Sequence, residues 1–307
     1  MKKKILMVLA VILVGYLILQ FIPTSASKES FIFNRADGEQ PLVIAHGGGK
    51  LLNPENTWMA FDYAADLGVD VLEIDLRMTK DHQLITHHNK TIDSTSNMTG
   101  AVYDYTYDEI TKMNFGHNFI DLDNKKPYNN LNDKQIQEYN GALSPVRIND
   151  LFAKYGDGLS YIVEIKDEGD LGKKAADLLV SYVIEYHLEE YVCLASFDQE
   201  IMDYMLSIKP ENVVVSFDFD TALEFVIAAF VGYDFFLDYP HYGFQLPVEE
   251  YNIPLTNGYL VNKIKRHDFF VHYWTVNEVD EMLKCINANA DGIITDRPDL
   301  LFELLDK

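Results

Sequence analysis

The sequence predicts a (β/α)8 barrel, on three observations: eight β-rich runs alternate with eight helical ones, acidic and histidine residues fall at the ends of the early runs, and 307 residues leave room for a fold that needs about 250. Such alternation implies parallel strands joined by crossover helices. The barrel is expected over residues 42–307, after an anchor at 1–27 and a linker at 28–41.

Residues 5–22, ILMVLAVILVGYLILQFI, are apolar apart from Gln20 and follow Lys2, Lys3 and Lys4. A spanning helix needs roughly 18 to 20 apolar residues and a cleavable signal core about 7 to 15, so the stretch predicts an N-terminal transmembrane helix. The lysines stay cytoplasmic, which places the rest of the chain outside the cell membrane. Ser25, Ala26 and Ser27 are small enough to be cut after, leaving a secreted form as the alternative.

The expected strands cover 42–46, 70–76, 160–166, 191–196, 213–217, 233–238, 270–276 and 292–296. The expected helices cover 56–67, 148–155, 170–187, 198–208, 219–231, 258–266, 278–289 and 298–305. Residues 77–88 read as a hairpin above the rim, because KDHQ separates two β-like runs by too few residues for a parallel crossover. Residues 101–147 break the alternation and predict an insertion after the second strand, capping the mouth. The apolar tract Phe225 to Tyr233 is too short to span a membrane and reads as a buried helix running into a strand.

A net charge of -23 weighs against nucleic-acid binding, which needs basic surface. An anionic substrate would need a bound cation or a local lysine cluster. Cys193 and Cys285 lie in apolar contexts and read as buried thiols. Glu73 and Asp75 are two apart on a strand and so share a face. Unpaired carboxylates inside a barrel are costly, which points to metal binding. Glu164 and Lys166 repeat the spacing, and three carboxylates suit Mg2+ or Ca2+ rather than a soft metal. His46 ends the first strand ahead of Gly47, Gly48 and Gly49, whose N–H groups could approach an anion. His87 and His88 should face opposite ways, so one of them enters the site. His117, His187, His241, His267 and His272 read as structural or surface residues.

The ordered set AHGGG, PENT, EIDLRMTKD, HHNKTIDSTSNMTG, VEIK, WTVN and DGIITDRPDLL, from about 42 to 302, closely resembles the glycerophosphodiester phosphodiesterase family. The resemblance implies a phosphodiesterase barrel with one divalent cation, held by Glu73, Asp75 and Glu164, and a general acid/base pair of His46 and His88. It selects His88 over His87 through the TID at 91–93, and implies that Asn56 lies by the cation or phosphate, Lys166 contacts the phosphate and Trp274 walls the alcohol portion. Two positions depart from the family pattern: Gly47 stands where Arg is usual and Asn89 where Asp is usual. Lys50 or the glycine N–H groups could replace that Arg.

The expected reaction is hydrolysis of a glycerophosphodiester to an alcohol and glycerol 3-phosphate, one histidine taking a proton from the nucleophile and the other giving one to the leaving alkoxide. Alternatives are a lysophospholipase D- or phospholipase C-like enzyme on membrane lipids, suited by the anchor and by Tyr103, Tyr105, Tyr107 and Phe115, or an enzyme on a teichoic-acid-type polymer. A catalytically weak binding barrel is the reading from another class, motivated by Gly47 and Asn89.

Overall fold

The computed structural model describes residues 5–7, 10–11, 14–16, 33–36, 38–139, 141–237, 239–240 and 242–306. The expected anchor at 1–27 lies mostly outside these. Among the described residues no helix is long and apolar enough to cross a membrane.

From the N-terminus the elements are β1 (Leu42–His46), α1 (Trp58–Leu67), β2 (Val71–Met78), β3 (Leu84–Thr86), α2 (Tyr107–Ile110), α3 (Asp133–Glu138), α4 (Ile148–Tyr155), β4 (Ser160–Ile165) and α5 (Gly169–Glu185). Then follow β5 (Val192–Ala195), α6 (Gln199–Ile208), β6 (Val214–Val215), α7 (Phe219–Val231), β7 (Gly243–Pro247), β8 (Glu249–Glu250), β9 (Ile253–Pro254), α8 (Gly258–Arg266), β10 (Phe270–Trp274), α9 (Val279–Asn287), β11 (Gly292–Thr295) and α10 (Pro298–Leu304).

Eight parallel strands run in the order β6-β5-β4-β2-β1-β11-β10-β7 among the described residues. A parallel bridge between Ser216 and Gly243 joins the two ends and closes the ring. The expected hairpin is present, with β3 antiparallel to β2. One expected strand is corrected. Of the expected strand 233–238, residues 233–237 do not form a strand and residue 238 lies outside the described residues; Asp234–Phe236 is a single 3-10 turn, and β7 at Gly243–Pro247 takes the place in the barrel. The cause is Asp234, whose fully buried carboxylate accepts from Lys263 at 2.9 Å, from His267 at 3.2 Å and from Arg266. That cluster fixes the turn beneath α8 instead of letting the apolar run pair.

Strand parity sorts the core. Ile44, Val71, Ile162, Cys193, Val214 and Ile294 fill the barrel interior with Phe270, and Phe33 packs beneath them. Their chain neighbours, such as Val43, Leu72, Val163, Leu194, Val215 and Ile293, pack outward against the helices. His46, Glu73, Asp75, Glu164, Gln245 and Trp274 continue the inward parity toward the carboxyl ends of their strands. Both cysteines are free and buried, as expected.

The segment 101–147 holds its own small core, where Val102, Ile110, Met113 and Phe115 pack with Ile85 and Ile92. Bridges Thr57↔Pro145 and Ile85↔Arg147 tie it beside α1 and β3.

Candidate active site

Register brings the acidic residues together. His46 pairs with Glu73 across β1 and β2, and Asp75 pairs with Glu164 across β2 and β4. One carboxylate oxygen from each of Glu73, Asp75 and Glu164 lies within 4.8 Å of the others, and all three side chains are buried. The sequence expectation that these three converge is met.

Two lysines face them. Lys166 Nζ stands 2.6 Å from Glu164 Oε1 and 3.2 Å from Asp75 Oδ1. Lys50 Nζ stands 3.1 Å from Glu55 Oε2. Burial alone would raise the Asp75 pKa, but Lys166 and Lys50 outweigh it and hold Asp75 down at about 2. Glu164 goes the other way. Burial pushes it up to about 7, with Lys166 opposing and Asp75 adding to the rise. Glu73 is likewise raised, by burial and then by the charge of Asp75.

The donor set fits a hard cation. It consists of oxygens from buried carboxylates that repel one another, and Asn56 adds a further oxygen. The Asn56 side chain donates through Nδ2 to Asp75 Oδ2 at 3.2 Å, while its Oδ1 is buried without a hydrogen-bond partner.

His46 donates from Nδ1 to Asp296 Oδ1 at 2.7 Å and sets Nε2 3.8 Å from Glu73 Oε2. Burial disfavours its charge, yet Glu73 and Asp296 outweigh burial and raise its pKa. Asp296 is itself fixed by Asn277, which donates from Nδ2 at 2.7 Å and accepts the Asp296 N–H at 2.8 Å. Sequence reasoning assigned neither residue a part. The available signal was position, since TD and WTVN follow directly on β11 and β10 at the carboxyl rim.

The two neighbouring histidines diverge as alternation requires. His87 is buried, donates from Nε2 to the Thr91 carbonyl at 3.1 Å and packs edge-on to Phe115, and its pKa is lowered by burial. His88 donates from Nδ1 to Asn89 Oδ1 at 2.9 Å and lies near enough to Asp75 for its charge to lower that carboxyl. Asn89 in turn donates to Ser94 Oγ at 2.8 Å.

The glycine loop supplies space more than donors. The Gly47 N–H goes to the Glu73 carbonyl at 3.0 Å and its Oε2 at 3.2 Å, and the Gly48 N–H to the Ala45 carbonyl at 3.3 Å. A Cβ on Gly47 would lie 2.9 Å from Lys50 Cε, so Lys50 folds through the volume that a side chain at 47 would take. Trp274 donates from Nε1 to the Gln245 carbonyl at 2.9 Å and, with Glu164, lines a cavity of about 350 Å³. None of the described residues of 101–147 lines that cavity.

Converging buried carboxylates suited to a hard cation beside half-buried ammonium groups, at the carboxyl rim of a parallel barrel, define a class of enzyme that works on anionic substrates. Comparison with known proteins narrows the class to one family. The model of the glycerophosphoryl diester phosphodiesterase family matches residues 46–300, and the chain belongs to that family as a phosphoric diester hydrolase. It is 29% identical over 87% of its length to a glycerophosphodiester phosphodiesterase of Caldanaerobacter subterraneus, covering 98% of that protein. It is 26% identical to one of Bacillus subtilis, covering 99% of each chain. Among solved structures, an Oleispira antarctica phosphodiesterase in complex with the product sn-glycerol-3-phosphate aligns with TM-score 0.67 at 18% identity, over 91% of this chain and all (100%) of that one.

Proposed function

We propose that the chain hydrolyses glycerophosphodiesters to an alcohol and glycerol 3-phosphate, with Glu73, Asp75 and Glu164 as ligands of one Mg2+ or Ca2+ and His46 and His88 as the acid/base pair. The observation that carries this reading is the convergence of the three buried carboxylates beside a histidine oriented by Asp296. The product named for the Oleispira protein and the names of the curated relatives support the substrate.

A bound cation would neutralise a nonbridging phosphate oxygen and make the phosphorus more electrophilic. The chain's own residues do the rest. Asp296 accepts a hydrogen bond from His46 Nδ1–H and so fixes the tautomer, leaving Nε2 to exchange a proton with the substrate. His88, held by Asn89, handles the second proton; one histidine takes it from the nucleophile and the other returns one to the leaving alkoxide. Lys166 and Lys50 meet the phosphate charge, Lys50 from the space left by Gly47. Asn56 supports Asp75, and Trp274 walls the alcohol side. The apolar residues 5–22 behind three lysines support attachment to a membrane, with the barrel outside it.

The test is release of alcohol from a water-soluble glycerophosphodiester by the full chain, with and without EDTA, followed by added Mg2+ or Ca2+. Turnover should require the cation and fall by about 10² to 10⁴ in His46→Ala. A folded protein with no turnover, or turnover indifferent to EDTA, would remove the reading.

A further inference from the structure

Of the string EIDLRMTKD the site takes Glu73 and Asp75, and Arg77 stands at the next place on the same face of β2. Its side chain is only 15% exposed, and its polar atoms meet two main-chain carbonyls and one carboxylate. Nε donates to the His88 carbonyl at 3.1 Å, while Nη1 donates to the Lys166 carbonyl and to Asp167 Oδ1, the latter at 2.9 Å. Asp167 is buried, and its Oδ2 accepts the Met78 N–H at 2.7 Å, so the carboxylate that holds Arg77 is itself tied to β2.

The two carbonyls belong to residues that the reaction uses. β3 ends at Thr86 and β4 at Ile165, so His88 and Lys166 both sit on chain that has left the barrel, where no strand ladder fixes them. β2 supplies the fixing instead. The Asp75 carbonyl accepts the His87 N–H at 2.8 Å, and the Leu76 carbonyl accepts the Lys166 N–H at 3.1 Å. Residues 75–78 thus pin the main chain of both departing segments, and the Arg77 side chain is the group that touches both at once. An ion pair with Asp167 alone would need only a point charge, which lysine supplies. A lysine lacks the rigid planar fork that lets separate nitrogens reach two fixed carbonyls.

We propose that Arg77 is a positioning residue, which sets the His88 imidazole and the Lys166 ammonium at a fixed separation by holding their main-chain carbonyls on one guanidinium. This rests on the function proposed above and adds to it a residue that touches no substrate. Lys166 Nζ already stands between Glu164 and Asp75, so its place relative to the carboxylates is set from the side-chain end. Arg77 sets it from the main-chain end and brings His88 into the same frame. A shift of about 1 Å in a group that transfers a proton can cost about 10²-fold in rate, which is the loss expected when the shared fork is removed.

The experiment measures kcat and KM of the full chain with its cation on a water-soluble glycerophosphodiester, beside cation affinity by calorimetry and the urea unfolding midpoint. Arg77→Lys keeps the charge next to Asp167 and should lower kcat/KM by about 10-fold to 10²-fold with cation affinity unchanged. Asp167→Asn keeps an acceptor for the Met78 N–H and should give a smaller loss of the same kind. Arg77→Lys is then placed in three backgrounds. Its loss should shrink in His88→Ala and in Lys166→Ala, through which it acts, and keep its full size in Asp296→Asn, which disturbs the other histidine. A loss of full size in either of the first two backgrounds overturns the proposal, and so does an equal shrinkage in Asp296→Asn. A fall in cation affinity alongside kcat/KM overturns it by routing the effect through the carboxylates. Lost stability with the folded fraction fully active overturns it as well, leaving Arg77 a structural ion pair. Asp167→Asn in the same backgrounds decides the matter if Arg77→Lys does not fold. Absence of turnover in the unaltered protein would instead overturn the function on which the proposal rests.

Discussion

Between His46 and Asp296 the hydrogen bond is 2.7 Å, and its geometry separates orientation from binding. Asp296 holds the ring from the side away from the carboxylate trio, so its removal should disturb proton transfer and little else. Asp296→Asn is expected to lower kcat by about 10²-fold while KM and cation affinity hold, as steady-state kinetics and calorimetric titration of the cation would show. An equal loss in cation affinity would mean that Asp296 shapes the whole rim.

At the level of elements, the two faces of α7 should respond oppositely to truncation. Phe225→Ala opens a cavity in the core and should cost about 3 to 5 kcal/mol in urea unfolding, whereas Ile227→Ala should stay within about 0.5 kcal/mol. The turn after α7 makes a pH-dependent contribution. Burial alone would raise the pKa of Asp234, but His267, Lys263 and Arg266 outweigh it and hold the carboxyl below its ordinary value. A depressed folded pKa gives stability that is present above the unfolded value of about 4 and is lost as pH falls through the folded one. Asp234→Asn should therefore destabilise the protein by about 3 to 5 kcal/mol at neutral pH, and the gap to the unaltered chain should narrow in acid denaturation below about pH 4.

For the whole molecule, barrel closure rests on one narrow joint. β6 is short, and it meets β7 through the Ser216–Gly243 bridge, with the Phe217 N–H donating to the Gly243 carbonyl at 2.9 Å. A Cβ on Gly243 would lie 2.2 Å from Phe270 Cγ, so Gly243→Ala should cost about 3 kcal/mol and speed amide exchange in β6 and β7 relative to β2 and β4. This region was also where the sequence was least legible. β2 and β4 announce themselves as continuous apolar runs interrupted by acids at alternate positions, which gave both the strands and the Glu73, Asp75, Glu164 trio. YDFFLD is as β-rich as GFQLP, and nothing local reveals that Asp234 will be claimed by three side chains from and just after α8. Asp296 escaped notice for a related reason: it reads as the last residue of the expected strand 292–296, and its partner His46 is 250 residues away.

The crossing of Lys50 over Gly47 makes those two positions interdependent. Gly47→Arg alone would drive two cationic side chains into one volume, and Lys50→Ala alone would leave that spot with no basic group. Any exchange between an Arg at the first place and a Lys at the second would therefore pass through a crowded or an undercharged intermediate, and the order in which the two changes are made would decide which.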